Sequence, residues 1–352
     1  MVRRSPTSDR VPAATIKDVA RVAGVSLGSV SRVLNGNASV TADVRDRVQA
    51  TIEKLGFQPN TAAQSMRSQV SRTVGCIIRD INIPGLAAFV RAAHDVFVEA
   101  GYALLLSNSD GRADREKELI SVMASRRADA LLIGHHSEVD TEIEALLRRL
   151  DIPVVLIDRE RPEWADAVMV DHRGGIRKAT ERLLQLGHSR IALITGRDSL
   201  YPARERIIGY RMAHEAAGIP CDAALVRSGS FMAEFGFEQT SLIMSLPDRP
   251  TAIIAGGIEM LPGIIRALRV LRFSIPHDVS LMGTLNSDLT ELFDPPISVE
   301  RWDYAEVGWI AARFALERMQ GVGEVGPRRL LIPSEIVMRE SCAPPRKTGT
   351  IR

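Results

Sequence analysis

Apolar residues between positions 15 and 58 recur at the three- and four-residue spacing of short amphipathic helices. Each of three segments begins after a residue that can cap a helix and ends at a glycine; the caps are Thr15, Ser26 and Thr41, and the glycines are Gly24, Gly36 and Gly56. Thr15 and Asp18 have the spacing of a capping box. Helices this short bury little surface, so we expect Phe57 to close a small all-α core.

From position 73 the pattern changes to short apolar runs that alternate with amphipathic helical segments. The predicted strands are 74–78, 103–107, 130–133, 154–157, 167–170, 191–195, 252–255 and 279–282, and the predicted helices are 87–100, 115–126, 175–186, 203–217 and 260–271. Repeated strand–helix units predict parallel sheets covered on both faces. The stretch is too long for one open sheet. We therefore predict an α/β fold with two doubly wound parallel-sheet subdomains behind a small all-α headpiece.

The predicted domain organisation follows from these two patterns. It comprises a disordered tail at 1–14, a headpiece at 15–58, a polar hinge at 59–72, a large domain at 73–340 and a second tail at 341–352. Within the large domain, the first subdomain takes 73–172 and 301–327, and the second takes 173–300 and 328–340. Ligands of such folds bind at the carboxyl ends of the strands, so we expect a site in the cleft between the subdomains.

Charge is unevenly placed along the chain. Residues 1–72 hold eleven Lys or Arg and five Asp or Glu, a net charge of +6, whereas the remaining 280 residues have a net charge of −4. A basic head on a mildly acidic body suits a polyanionic partner for the head alone. No run of about 18 apolar residues suggests a membrane span. With no secretory signal and three scattered cysteines, Cys76, Cys221 and Cys342, we expect a cytoplasmic protein.

The segment TIKDVARVAGVSLGSVSRVLN at 15–35 has the order helix, tight glycine turn, helix. This is the helix-turn-helix arrangement, whose second helix enters the major groove of DNA. Arg32 can pair with a guanine and Leu27 can touch a thymine methyl group. Ser29, Ser31 and Asn35 suit phosphates. The predicted DNA-contacting residues of the head are Thr15, Ser26, Leu27, Gly28, Ser29, Ser31, Arg32 and Asn35.

Over residues 15 to about 340 the chain resembles the LacI/GalR family of bacterial regulators. The resemblance rests on the run DVARVAGVSLGSVSRVLN, on LGFQPNTAAQSMRS at 55–68, and on DINIP at 80–84, AGY at 100–102, LGHSRI at 186–191 and RERIIGY at 204–210. It implies a transcription regulator, commonly a repressor, that acts as a homodimer on pseudo-palindromic double-stranded DNA. It also implies a hinge that contacts DNA through Asn60, Ala63 and Met66, where Met66 replaces the family's minor-groove leucine. The implied protein is not an enzyme and uses no cofactor and no metal.

The body implied by the resemblance is like that of periplasmic sugar-binding proteins, with an effector in its cleft. Arg206 matches the family's effector-binding arginine. Gly85 and Leu86 stand where the family has aromatic residues, Gly257 and Ile258 where it has Asn-Asp, and Leu285 where an aspartate commonly holds sugar hydroxyls. Buried hydroxyls without partners are costly. We therefore hypothesise that the small-molecule effector is an organic acid or another non-hexose metabolite.

Polar residues that follow predicted strands complete the candidate effector site. The full set is Asp80, Leu86, Asn108, His135, Asp158, Arg206, Gly257 and Leu285. His135 and His136 have no evident partner cluster, and a role at the pocket rim or on the surface is the simpler interpretation. Asp158, Asp171 and His172 either line the cleft or cap loops.

Two other classes of protein fit parts of the sequence. The body alone would suit a solute-binding protein of a transporter, but the basic head and the missing export signal argue against it. The pattern GVSLG at 24–28 matches the nucleophile motif of hydrolases, yet a helix precedes it where that motif needs a strand. We find no Walker loop and no dinucleotide fingerprint in the sequence.

Overall fold

A computed structural model of the chain describes residues 14–34, 39–57, 70–323 and 325–346. The chain divides into two compact units, Met1–Ser71 and Arg72–Arg352. The predicted DNA contacts Asn35, Asn60, Ala63 and Met66 and most of the predicted hinge lie outside the described residues.

The first unit contains helices α1 (Ile16–Ala23), α2 (Leu27–Leu34) and α3 (Ala42–Leu55). The predicted capping box begins α1: the backbone N–H of Thr15 donates to Asp18 Oδ2 at 3.0 Å, and the N–H of Asp18 donates to Thr15 Oγ1 at 3.3 Å. Val19, Val30 and Val48 are fully buried where the three helices meet, and Phe57 packs against the same cluster. The predicted small core is confirmed.

The first sheet of the second unit has the strand order β11-β5-β4-β3-β1-β2, and all neighbours are parallel. Its strands are β1 (Thr73–Ile78), β2 (Ala103–Asn108), β3 (Ala130–Ile133), β4 (Val154–Ile157), β5 (Asp166–Val170) and β11 (Arg329–Ile332). Helices on its two faces are α4 (Leu86–Glu99), α5 (Ala113–Ser125), α6 (Thr141–Arg149) and α12 (Tyr304–Met319). The central strand β3 is buried along its whole length, because helices cover both faces. We call this sheet and its helices the first lobe.

The second sheet has the order β12-β10-β9-β8-β6-β7, with β12 antiparallel to β10 and the other pairs parallel. Its strands are β6 (Ile191–Gly196), β7 (Val226–Gly229), β8 (Ala252–Gly256), β9 (Ser280–Thr284), β10 (Ser298–Arg301) and β12 (Glu335–Val337). Its helices are α7 (His172–Gln185), α8 (Tyr201–Ala216), α9 (Ala233–Met244), α10 (Leu261–Val270) and α11 (Asp288–Leu292). These elements form the second lobe, and the predicted α/β fold with two parallel sheets is confirmed.

The chain crosses between the lobes after β5, after β10 and after β11. The sequence analysis placed residues 328–340 in the second subdomain, but Arg329–Ile332 pair with β5 of the first sheet. The first lobe therefore extends to Ile332, because the chain forms one more strand at the edge of that sheet before its last crossing.

The residues after β12 also differ from the prediction of a tail beginning at 341. Ser341 is fully buried; its Oγ accepts the N–H of Ser298 at 2.8 Å and donates to the carbonyl of Leu281 at 2.6 Å. The N–H of Ala343 donates to Ser280 Oγ at 3.0 Å. The second lobe thus includes the chain as far as Ala343.

Within the part of the chain that the structure describes, each helix is too short or too polar to cross a lipid bilayer.

Candidate functional site

Helix α2 presents the predicted base-reading surface of the first unit. Val30 is fully buried and holds the helix against α1 and α3, whereas Leu27 is 46% exposed and Gly28 and Arg32 are also exposed. An exposed leucine at the start of a polar helix face is a contact surface for an apolar group such as a thymine methyl. Arg32 Nε donates to the carbonyl of Gly28 at 3.1 Å, which holds the guanidinium along the outer face of the helix.

The predicted phosphate-binding hydroxyls are partly engaged within the head. The N–H of Ser29 donates to Ser26 Oγ at 3.1 Å, and the two hydroxyl oxygens are 2.9 Å apart. Ser26 therefore begins α2 as a capping residue, and Ser29 completes the same turn. Ser31 is half-buried on the helix, and Thr15 is exposed at the start of α1. All of these positions lie on or beside the first two helices.

The second unit has a cavity of about 120 Å³ between its lobes, at the carboxyl ends of the strands. This is somewhat smaller than the ~150 Å³ engineered cavity that admits a benzene ring, but the present cavity is partly open to solvent, so a ligand can extend beyond it. Of the predicted effector-binding residues, Leu86, Asp158, Arg206, Gly257 and Leu285 line the cavity. The structure thus brings together five predicted residues from both lobes, at the place where open parallel sheets bind ligands.

The other three predicted residues lie outside the cavity wall. Asp80 Oδ1 accepts the backbone N–H of Asn82 at 2.9 Å, and Asn108 Oδ1 accepts that of Ile81 at 3.1 Å. His135 is 2% exposed, with its Nε2 2.5 Å from the carbonyl of Arg161. Each side chain thus holds a nearby loop. For His135 this differs from the expected place at the pocket rim or on the surface, because its ring is buried against the loop that contains Arg161.

A buried polar chain runs along one side of the cavity. Arg206, on the first turns of α8, is 4% exposed. Its Nη1 donates to the carbonyl of Gly256 at 2.8 Å, and its Nη2 lies 3.1 Å from His172 Nδ1. His172 Nε2 lies 2.9 Å from Asp158 Oδ2. Because guanidinium nitrogens only donate, Nδ1 accepts and Nε2 carries the proton that Asp158 accepts.

The charges along this chain are unequal. Burial lowers the pKa of His172 in spite of Asp158, so the imidazole is neutral at pH 7. Burial would raise the pKa of Asp158, but His172 and the nearby arginines outweigh it and lower the pKa. Among the described residues, Arg206 has no carboxylate partner at ion-pair distance, and its Nε, which is buried, has no hydrogen-bond partner.

A second pair of charged residues lines the cavity, one residue from each lobe. Arg79, directly after β1, forms an ion pair with Glu259, which lies in a short turn three residues after the end of β8. The guanidinium carbons of Arg79 and Arg206 lie 5.5 Å and 5.8 Å from the ring centre of Phe231, so both arginines contact the same ring. Burial raises the pKa of Glu259, and its buried Oε1 has no hydrogen-bond partner within the described chain.

Aromatic rings fill the space that two glycines leave beside the cavity. A Cβ on Gly85 would lie 2.5 Å from Tyr304 Cδ2, and a Cβ on Gly257 would lie 2.6 Å from Phe231 Cδ1. Gly85 also has a φ of +89°, which strains any other residue. Tyr304 and Phe231 both line the cavity. The cavity therefore has aromatic walls. They come from positions 231 and 304 and not from positions 85 and 86, where the family has aromatic residues.

Sequence reasoning missed several cavity residues, namely Arg79, Arg159, Phe231, Glu259, Trp302 and Tyr304. Arg79 and Arg159 had a usable signal, since each lies one or two residues after a predicted strand. Phe231 follows β7, and Trp302 follows β10, which were not predicted as strands. Glu300, on β10, was also missed: it is fully buried, and burial raises its pKa to about 7.

Comparison with known proteins agrees with this architecture. Two family models match the chain: bacterial regulatory proteins of the lacI family over residues 15–60, and the periplasmic binding protein-like domain over residues 180–342. Catabolite control protein A of Priestia megaterium is 30% identical over 329 residues, which cover 93% of this chain and 98% of that protein.

Solved structures show the same arrangement. The lac repressor dimer bound to operator and the anti-inducer ONPF has a TM-score of 0.82 at 26% identity, over 94% of this chain and 99% of that one. The transcriptional regulator CelR in complex with cellobiose has a TM-score of 0.71 at 30% identity, over 93% and 99% of the two chains.

The fold and the two sites define a regulator with an amino-terminal helix-turn-helix and a two-lobed ligand-binding body. The chain belongs to the LacI family of bacterial regulatory proteins. It is a DNA-binding transcription regulator whose body responds to a small molecule, which confirms the family and the general function predicted from the sequence.

Proposed function

We propose that this regulator binds a small carboxylate at Arg206 and that this ligand sets its affinity for operator DNA. The supporting observation is the buried Arg206 guanidinium, whose Nε–H has no hydrogen-bond partner and which forms no direct ion pair among the described residues, although the carboxyls of Asp158 and Glu300 act on it from farther away. An unpaired donor on a buried charged group is costly. A carboxylate matches the guanidinium fork and would supply both the charge and the missing acceptor.

The walls of the cavity favour the same class of ligand. Most of the wall surface is apolar, with Leu86 and Leu285 among the residues that form it. Asp158 already accepts from His172, and Arg159 donates to the carbonyls of His135 and Asp158. A hexose presents several hydroxyls that each need a partner when buried, whereas a small acid needs one strong anion contact.

Calorimetry on the full-length protein tests this proposal. We expect at least one acid from a panel of small mono- and dicarboxylates to bind, while glucose, ribose and cellobiose do not. Arg206→Gln should weaken that binding by about 100-fold, as expected for a lost charge-assisted pair. The matched control is Arg211→Gln, an exposed arginine on the same helix. Tight binding of an unmodified sugar would overturn the proposal.

Coupling to DNA follows from linkage between the two sites. An effector that lowers operator affinity must itself bind more weakly to the DNA-bound protein, by the same factor. We propose repression as the regulatory mode and a cytoplasmic homodimer on a pseudo-palindromic operator as the active form, since one helix-turn-helix contacts only a half-site. Light scattering should give a dimer. Selection of genomic fragments on the protein should enrich one pseudo-palindrome, and no enrichment would contradict this mode of action.

A further inference from the structure

Three buried polar atoms in the cavity wall have no hydrogen-bond partner in the described structure. They are Arg206 Nε, Trp302 Nε1 and Glu259 Oε1, which are two donors and one acceptor. A ligand that completes this set must offer acceptors at one place and a donor at another. Unpaired buried polar groups cost stability, so these atoms define the polar pattern that a bound ligand would complete.

The acceptor end of the ligand belongs at Arg206, as in the proposed function on which this inference rests. The donor end belongs at Glu259, whose other oxygen is held by Arg79. Because both arginines contact the ring of Phe231, both polar ends of the ligand lie near this one aromatic side chain.

The body of the ligand lies among aromatic side chains. Phe231, Trp302 and Tyr304 all line the cavity, and the centres of the Trp302 and Tyr304 rings are 5.5 Å apart. Gly85 and Gly257 provide the space in which Tyr304 and Phe231 pack. Aromatic walls favour a flat ring, which gains stacking or edge contacts beyond the burial of its area.

The charged residues that line the cavity determine which chemical groups the two polar ends of the ligand can carry. Three arginines, Arg79, Arg159 and Arg206, face two carboxylates, Asp158 and Glu259. A second carboxylate on the ligand would meet Glu259, and an ammonium group would add to an excess of cations. A neutral hydroxyl donates to Glu259 without either penalty, and its hydrogen bond to a carboxylate is charge-assisted.

We propose that the effector is a hydroxylated aromatic monocarboxylate, with its carboxylate on Arg206 and its hydroxyl donating to Glu259. Trp302 Nε1 supplies a further donor to the oxygen atoms of the same ligand. The aromatic ring lies against Phe231 and beside Tyr304.

A ligand series on the unaltered full-length protein tests the inference by calorimetry. The series comprises 3- and 4-hydroxybenzoate, benzoate, cyclohexanecarboxylate, propionate, succinate, glucose and cellobiose. We expect the better hydroxybenzoate to bind about tenfold more tightly than benzoate, which corresponds to one charge-assisted hydrogen bond. Benzoate should in turn bind more tightly than cyclohexanecarboxylate.

Two variants test whether Glu259 causes the preference for hydroxybenzoate over benzoate. Glu259→Gln should reduce the preference for hydroxybenzoate over benzoate to near parity; the ratio of the two affinities is the readout, because loss of the Glu259 charge acts on both anions alike. Glu335→Gln is the control, since Glu335 is an exposed carboxylate that pairs with Arg301 away from the cavity. Thermal unfolding and operator binding of each variant show that it is folded.

The outcomes separate this inference from the proposed function. Tighter binding of propionate or succinate than of all aromatic acids overturns the inference and leaves the carboxylate site intact. An undiminished hydroxyl preference in Glu259→Gln also overturns it. Binding of a sugar, with no acid bound, overturns both.

Discussion

The ring of Phe231 packs directly over the bare α-carbon of Gly257, so that a side chain at position 257 and this ring exclude one another. The loop after β7 brings the aromatic ring of Phe231 to the cavity. The loop after β8 has a glycine at the position where a side chain would clash with that ring. The LacI-family resemblance places a polar effector contact at position 257. In this chain the ring of Phe231 occupies that space.

We expect Gly257→Ala to displace Phe231 into the cavity. The methyl group would lie 2.6 Å from Phe231 Cδ1, and overpacking of this kind costs about 1–3 kcal/mol. Chemical denaturation should show that loss, and calorimetry should show weaker effector binding. Gly283→Ala is the matched control on the neighbouring strand, because its methyl group would meet ordinary contacts at 3.5 Å or more. Equal stability of the two variants would contradict the packing argument.

Arg32→Ala should relax operator selectivity more than it weakens general DNA binding. If Arg32 pairs with a guanine, its loss removes about 1–3 kcal/mol of discrimination at that base. The measurement is the affinity ratio between the selected operator and a scrambled duplex at fixed salt concentration. Arg21→Ala, an exposed arginine on α1 that pairs with Asp18, serves as the comparison. A uniform loss for both duplexes in Arg32→Ala would instead indicate a phosphate contact.

Asp166, on β5, binds Arg318 of α12 and Arg328 directly before β11. The stability of the first lobe should therefore be sensitive to acid. It is 3% exposed and accepts hydrogen bonds from the side chains of Arg318 and Arg328 and from the backbone N–H of Arg328. Burial would raise the pKa of Asp166, but these bonds outweigh it and lower the pKa below 3.8. Removal of one partner of a buried pair costs about 3–5 kcal/mol, which we expect for Asp166→Asn at pH 7.

The sign of the pH dependence follows from that lowered pKa. The stabilisation is complete above the unfolded-state pKa near 3.8 and is lost as the pH falls through the lower folded-state pKa. The stability gap between the parent protein and Asp166→Asn should therefore stay constant from pH 7 to about pH 5 and then narrow. Asp114→Asn, which removes an exposed pair with Arg112, should show no comparable gap.

Truncation tests whether residues 341–343 are part of the folded second lobe or belong to a loose tail. Removal of residues 341–352 deletes the buried Ser341 and leaves the N–H of Ser298 and the carbonyl of Leu281 without their partner. Each such group costs about 1–3 kcal/mol, so the melting temperature should fall markedly. Removal of residues 347–352 alone should leave it unchanged. Equal melting temperatures for the two truncations would refute the packing described for this segment.

Periodicity was sufficient for most of the helices whose two sides differ and for the strands that are buried and apolar along their whole length. It located the three head helices and the strands β1, β3, β4, β6 and β8 to within one or two residues. It missed β7 and β11, which are partly exposed edge strands with arginine, β12, which has three residues, and β10, whose buried residues include Ser298 and Glu300. It also missed α9 and α12, whose apolar residues spread around the helix instead of forming one stripe, and the short helices α6 and α11.

The site was predictable where a residue follows a predicted strand or matches a motif of the family resemblance. Asp158 was found because it follows a predicted strand, whereas the resemblance indicated Leu86, Arg206, Gly257 and Leu285. Phe231 and Tyr304 were not found, because their place in the cavity depends on glycines far away in the sequence. A steric fit between distant positions leaves no local signal in one chain.

The three crossings between the lobes have a consequence for how the protein is made. The first sheet needs β11, which ends at Ile332, and the second sheet needs Ser341 and Ala343 near the end of the chain. Neither lobe is a contiguous segment, so during translation neither sheet can complete its pairing until nearly the whole polypeptide has left the ribosome. The head, whose core closes at Phe57, has its full set of residues much earlier. A nascent chain would therefore present a complete DNA-reading unit well before it can sense any signal.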